Sequence, residues 1–189
     1  MKTELIILFS LLSFFTGITA GILISLIYYP KWEVNKLIRQ QRKEGYSFGE
    51  WTHFKNLVDH NIRVVVKPNC ETLYSVSFIR KKDGPYILNM PHFDSYFSFA
   101  FLNMNTEVQG YITNRDALGN KGNKFLISYS EEGVSDINLH GIKLNSRVSW
   151  IIGRFEIKSP GEIQEVNRIQ DEICLIKLKD YLNDEREKD

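Results

Sequence analysis

From Leu5 to Tyr29 the chain reads LIILFSLLSFFTGITAGILISLIYY, without one charged side chain. A helix needs about 20 predominantly apolar residues to cross the hydrocarbon core of a bilayer. The rest of the chain is too small to wrap a run of this length, so the run predicts a single transmembrane helix. Lys2 precedes it, and Thr19-Ala20-Gly21 resembles a peptidase site. The apolar core of a cleaved signal is only about 7–15 residues, however, and here the run continues past those small residues, which predicts a retained anchor. Tyr28, Tyr29 and Trp32 fall where an aromatic belt marks the exit from the bilayer.

Lys31, Lys36, Arg39, Arg42 and Lys43 follow the run, whereas only Lys2 precedes it. The positive-inside rule therefore predicts a single-pass protein of the cell membrane with its domain in the cytoplasm. Residues 32–44 look helical, with Trp32, Leu37 and Ile38 as their few apolar positions. Such a segment either lies on anionic headgroups or forms a solvated stalk.

The organisation that follows is an anchor over residues 1–30, a basic juxtamembrane segment over 31–48, one β domain over 49–182 and a charged, frayed tail over 183–189. Beyond Gly45 short apolar stretches alternate with period two. They cover 62–67, 71–80, 86–90, 95–104, 107–113, 124–130, 142–144 and 148–157, with Asp83-Gly84-Pro85, Pro91, Asn114-Arg115-Asp116 and residues 119–123 as punctuation. In 71–80, Leu73, Ser75, Ser77 and Ile79 share one face and Thr72, Tyr74, Val76 and Phe78 the other. Ser159-Pro160-Gly161-Glu162 reads as a helix start, and Ile163, Val166, Ile169 and Ile173 recur on one face behind it. The predicted class is mainly β: an antiparallel sandwich or jelly-roll-like domain with one or two flanking helices.

Twenty-four Lys and Arg nearly balance 23 Asp and Glu, which removes the basic footprint that nucleic-acid binding requires. Cys70 and Cys174 stand alone, outside any ligand spacing, and are expected to be unpaired, although a single bridge between them would also fit. No nucleophile elbow, phosphate loop, dinucleotide fingerprint or HExxH is present, so no cofactor is expected. Among His53, His60, His92 and His140 only His92 has a close potential co-ligand, Asp94. Two ligands do not make a metal site.

The turn and strand Lys67-Pro68-Asn69-Cys70-Glu71-Thr72-Leu73-Tyr74-Ser75 resemble the PN-x-DTLYS motif of the family called domain of unknown function 1254. The likeness continues through Gly84-Pro85-Tyr86-Ile87-Leu88-Asn89-Met90-Pro91, Asp94-Ser95-Tyr96, residues 148–154 with Trp150, Gly153 and Arg154, and Ile169-Gln170-Asp171. Glu71 stands where the family usually has aspartate, and Cys70 and His92 replace more common polar residues. The resemblance implies a β-sandwich-like fold and a membrane or envelope setting, which leaves an extracytoplasmic domain open. It implies no reaction. It also suggests a separately encoded partner of the companion family, domain of unknown function 1214.

Asn69 and Glu71 most simply build the turn before the strand through side-chain to backbone hydrogen bonds. A ligand-binding set of Asn69, Glu71, Tyr74, Asp94, Tyr96, Trp150 and Arg154 is the functional alternative. Period two places Trp150, Ile152 and Arg154 on one face. That face is expected to turn inward, with Arg154 substantially buried and paired with Glu71 or Asp94 or else holding an anionic ligand, because a lone buried charge is costly. The expected function is a membrane-anchored binding or assembly module. An enzyme, hydrolase or isomerase, using Glu71, Asp94 and Tyr74 with Arg154 is the alternative.

Overall fold

The computed structural model describes residues 2–57, 71–117, 123–130 and 137–186. One helix, α1 (Lys2–Lys43), carries the whole apolar run and continues through the juxtamembrane segment without interruption at Pro30. Its best window has a mean hydropathy of 2.2, so it is long and apolar enough to cross a membrane. Residues 3–29 are exposed throughout, and burial begins at Pro30.

Beyond that point α1 is neither a solvated stalk nor a helix free of the domain. Val34 is buried to 1% exposure, and Leu37, Ile38 and Gln41 are half-buried on the same stripe. Gln41 donates a hydrogen bond to Thr52 Oγ1 at 3.1 Å. The chain then turns through Gly45 and Gly49, both at positive φ where glycine avoids a Cβ clash. Phe48 is fixed beneath the Arg80 guanidinium, 4.2 Å from its ring centre, and Asp83 holds that guanidinium with bonds of 2.6 and 3.1 Å.

Among the described residues nine strands follow: β1 (Trp51–Phe54), β2 (Thr72–Arg80), β3 (Tyr86–Asn89), β4 (Phe97–Leu102), β5 (Val108–Thr113), β6 (Lys124–Ser128), β7 (Gly141–Lys143), β8 (Val148–Glu156) and β9 (Cys174–Lys177). A short helix α2 (Asn114–Ala117) follows β5, α3 (Ile163–Glu172) precedes β9, and α4 (Leu178–Arg186) follows it. The strands form a five-stranded antiparallel sheet, β1-β2-β8-β4-β5, and a four-stranded sheet, β7-β6-β3-β9, in which only β6 and β7 are parallel. The predicted β sandwich is what the chain forms.

One apolar core fills the space between the sheets, and aromatic rings dominate it. Phe97, Phe99, Phe101 and Phe155 from the first sheet meet Tyr86 and Phe125 from the second, with Tyr129 just beyond β6. Leu73, Ser75, Ser77 and Ile79 all point into it and are fully buried, as the alternation in β2 predicts. Gly153 also faces inward: a Cβ there would sit 3.0 Å from the Phe99 ring. The outer face of the second sheet is covered separately, by Ile87 and Leu126 packing with Leu178 and Tyr181 of α4.

Several boundaries differ from the expectation. Trp51–Phe54, Cys174–Lys177 and Leu178–Arg186 form elements that the alternation did not predict. Each strand is only four residues long, too short for a period to show. The predicted strand at 62–67 lies outside the described residues. The tail is helical as far as Arg186. At the helix start Ser159 makes no capping bond, and instead the Glu162 carboxylate accepts the Lys158 N–H at 2.9 Å, so Pro160–Glu162 is a 3-10 turn and α3 begins at Ile163.

The inward placement of Trp150, Ile152 and Arg154 is overturned. In β8 the buried positions are Ser149, Ile151, Gly153 and Phe155, and the other set is half-buried on the outer face. Both faces of this sheet carry apolar side chains because α1 covers part of the outer one. Apolar content alone therefore does not identify the core side. Arg154 stands on the side where a charge needs no buried partner.

Candidate functional site

Tyr74 and Ser75 are neighbours in β2, and their side chains leave the sheet in opposite directions. Each one belongs to a polar cluster, and the two clusters differ in character.

On the inner side, Ser75 Oγ is the centre of a buried node. His53 of β1 meets it through Nδ1 at 2.8 Å, and Gln170 of α3 donates to it through Nε2 at 3.0 Å. The same Gln170 nitrogen lies 3.1 Å from the Tyr74 carbonyl oxygen. Gln170 is wholly buried, so these bonds satisfy groups that water cannot reach. Around the rim, Lys55 Nζ donates to the Asn167 carbonyl at 2.9 Å and pairs with the Asp171 carboxylate, while Asn167 Nδ2 donates back to the Lys55 carbonyl at 3.1 Å.

The electrostatics follow from this packing. Desolvation, reinforced by the Lys55 charge and partly offset by Asp171, lowers the His53 pKa to about 4. His53 is therefore neutral at physiological pH. The hydrogen bond from Lys55 holds the exposed Asp171 carboxyl below its ordinary value. Ser75 is fully buried, so its contact with an imidazole is structural and does not make it a nucleophile open to substrate.

On the outer side, the Arg154 guanidinium lies over the Tyr74 ring, 6.0 Å from its centre, where β2 and β8 pair Tyr74 with Arg154. Tyr96, 47% exposed, is held beside Glu156 by a backbone bond of 2.9 Å, and its own N–H meets the Glu156 carboxylate at 3.3 Å. Phe54, 48% exposed, is the neighbour of Tyr74 in β1. Among the described residues no carboxylate lies within salt-bridge distance of Arg154: Asp94 bonds His92 at 2.7 Å, and Glu156 lies 4.0 Å from Lys158.

The structure thus brings Tyr74, Tyr96 and Arg154 to one end of the five-stranded sheet, with Glu71 and Asp94 in the loops beside it, and leaves Trp150 farther along β8. Asp94 is exposed in the loop before β4. Trp150 stacks on Phe78, 5.8 Å between ring centres, four residues along β8 from Arg154. Glu71 is exposed just before β2, with its carbonyl bound by the Ile157 N–H at 2.8 Å. Asn69 lies outside the described residues. The neighbouring groove between α1 and the sheet, lined by Ile38, Gln41, Phe48 and Phe78, holds about 10 Å³, room for roughly one water. Among the described residues no three His, Cys, Asp or Glu side chains gather as metal ligands. Cys174 is a free thiol, and Cys70 lies outside the described residues.

The two segments that meet at Ser75 are the ones the sequence singled out, Glu71 to Ser75 and Ile169-Gln170-Asp171. The family model for the protein of unknown function DUF1254 matches residues 48–177. The chain belongs to the DUF1254 family. Among solved structures, this member is similar to the VPA0106 protein from Vibrio parahaemolyticus, with a TM-score of 0.62 at 14% identity over 82% of this chain. It also matches a putative uncharacterized protein from Burkholderia cenocepacia, with a TM-score of 0.43, 10% identity and 61% of this chain covered. The chain spans 37% and 32% of those two proteins. No curated protein matches.

Sequence reasoning missed His53, Lys55 and Asn167. A signal existed in Trp51-Thr52-His53-Phe54, where Trp51 and His53 fall two apart beside the strongest strand. The wholly buried Gln170, on the apolar stripe of α3, is the other clue: a polar residue among Val166, Ile169 and Ile173 needs buried partners.

Proposed function

We propose that this DUF1254 protein is a single-pass membrane protein whose β domain works as a binding module, using the Tyr74–Arg154–Tyr96 end of the five-stranded sheet. The observation that carries this reading is Arg154, a half-buried cation resting on an aromatic ring with no acidic partner among the described residues. A guanidinium in that setting is partly desolvated and keeps donors free for an incoming carboxylate. Exposed Tyr96 and Phe54 supply the apolar contact that interface centres favour.

The partner suggested by the family resemblance is a separately encoded protein of the 1214 type presenting an acidic side chain. The basic residues after Tyr29 favour a cytoplasmic domain. The enzyme reading has less behind it, because Glu71 and Asp94 are exposed to solvent. Co-purification of the full chain from membranes with mass spectrometry of what accompanies it tests the proposal. A partner retained by the wild type and lost by Arg154→Met supports it, and identical co-purification profiles overturn it. Fusion of a phosphatase or a fluorescent protein to the C-terminus tests the side, since an active phosphatase with a dark fluorescent protein reverses the assignment.

A further inference from the structure

The end of the apolar run and the start of the domain's contact with α1 fall at the same residue. Up to Tyr29 every described side chain of the helix is exposed, Pro30 and Lys31 are half-buried, and Val34 is buried to 1% exposure. Val34 lies five residues beyond Tyr29, about 7.5 Å along a helix that rises 1.5 Å per residue. The headgroup layer on each side of a bilayer is itself about 5–8 Å deep. No length of stalk separates the two.

The direction of α1 across the sheet identifies the edge that approaches the lipid. Gln41 reaches Thr52 on the edge strand β1, and Ile38, three residues earlier, shares a groove with Phe78 on β2. Three residues of helix are about 4.5 Å, close to the separation of about 4.8 Å between neighbouring strands. Toward its N-terminus α1 thus leads from β1 to β2, and the row across the outer face from Phe78 runs through Trp150 and Leu102 to Val108, with Phe78 and Leu102 buried, so the same direction continued leads past β8 and β4 to β5. Three more strands span about 14 Å, or roughly ten residues of helix, which brings β5 level with Tyr28 and Tyr29. Two residues of β5 are unusual for a strand in water: Val108 and Tyr111 are 47% and 54% exposed, opposite Leu102 and Ala100 on the face that carries Trp150 and Phe78.

We infer that the β domain rests directly on the bilayer, with the outer edge of β5 in the headgroup layer and Val108 and Tyr111 as its lipid-contacting side chains. This rests on the reading of α1 as a transmembrane anchor. Tyr111 then extends the aromatic belt of Tyr28, Tyr29 and Trp32, and the bilayer covers an edge strand whose backbone groups would otherwise be open to pairing with other chains.

The test uses the full chain in phosphatidylcholine vesicles containing a fraction of lipid with a nitroxide on its headgroup. In a Cys70→Ala, Cys174→Ala background, a small fluorophore is attached at Val108→Cys, at Tyr111→Cys or, as a reference, at Phe54→Cys on β1, four strands or about 19 Å from β5. The expected result is loss of most of the fluorescence at 108 and 111 and little at 54. Equal quenching at all three sites in protein that stays in the membrane after alkaline carbonate overturns the inference and leaves the anchor standing. Release by carbonate overturns the anchor, and the inference with it. Should the cysteine-free chain fail to fold, hydroxyl-radical footprinting of the unmodified protein gives the same decision. Tyr111 should be protected in vesicles while Phe54, of similar exposure, is oxidised, and equal oxidation of both would refute the placement.

Discussion

Tyr74 and Ser75 are adjacent in sequence and belong to two regions that handle polarity in opposite ways. Inside, the Ser75 hydroxyl is shared by His53 and Gln170, and the Tyr74 carbonyl is satisfied by the same amide. Outside, the Arg154 guanidinium lies on the Tyr74 ring without an acidic partner among the described residues. A buried polar group without its partner costs about 1–3 kcal/mol, so the contacts of the Ser75 hydroxyl and the Gln170 Nε2 are fixed, while Gln170 Oε1 and Asn167 Oδ1 stay without a partner among the described residues. A half-exposed cation loses little by waiting for a ligand, so the outer cluster stays open. The inner region fastens α3 to β1 and β2 and the outer one is presented by the frame so made. Stability should respond to changes in the first and binding to changes in the second.

The largest effect is expected from Gln170→Leu. The replacement has similar volume but strips the Tyr74 carbonyl and the Ser75 hydroxyl of their shared donor in a fully buried place. Chemical denaturation of the full chain in detergent should show a loss of about 3 kcal/mol. A loss below about 1 kcal/mol would mean that the inner cluster does not fasten the fold and that the contrast between the regions is false.

Acid should weaken the same node. The folded His53 has its pKa lowered to about 4 from an ordinary value of 6.5, so between these values the unfolded chain binds a proton that the folded chain refuses. Stability is then highest above pH 6.5, falls as pH drops toward 4, and loses about 2 kcal/mol across that window after allowance for partial exposure. His53→Gln should be less stable at neutral pH and should lack this contribution to the slope. Parallel pH profiles for the two proteins would show that His53 titrates alike in both states.

The contact between α1 and the domain is smaller still. Val34→Ala removes two buried methyl groups and should cost about 1.5 kcal/mol, measured against Leu12→Ala in the exposed apolar run, which should cost the domain nothing. Equal and negligible effects would mean that α1 does not dock through Val34.

Much of this was legible in the residues. The uncharged run announced its helix, the alternation in residues 71–80 sorted β2 correctly into two faces without saying which is inner, and the punctuation around Pro85, Pro91 and Asn114 placed most of the described strands. The residues failed where tertiary covering overrides local pattern. In β8 the inner set of Ser149, Ile151, Gly153 and Phe155 looks less apolar than the outer set with Trp150 and Ile152, because α1 packs over the outer face and Phe99 packs closely onto Gly153. His53 was invisible as part of a node because its strand is four residues long and its partners come from residues 75 and 170. The ligand set mixed two ends of the sheet, since strand periodicity fixes which side a residue faces but not how far along the strand its neighbours lie.

The smallest expected effect on stability is the most informative for function. Arg154→Met keeps the length and most of the apolar stem of the side chain, removes the charge, and ends a cation–aromatic contact at 6.0 Å that in a half-exposed setting is worth about 0.5 kcal/mol. No described carboxylate is left unpaired by the change, so the penalty that follows from breaking a buried ion pair does not arise. Denaturation midpoints of wild type and variant should agree within about 0.5 kcal/mol, while binding of an acidic partner falls by at least about tenfold, the loss of one charge-assisted hydrogen bond of about 1.5 kcal/mol or more. Gln170→Leu should show the reverse pattern under conditions where it remains folded, with reduced stability and retained binding, because its side chain faces away from the outer surface. If Arg154→Met instead destabilises the protein by several kcal/mol, the guanidinium is a fastening like Gln170, and the two sides of β2 are one structural network rather than a frame and a site.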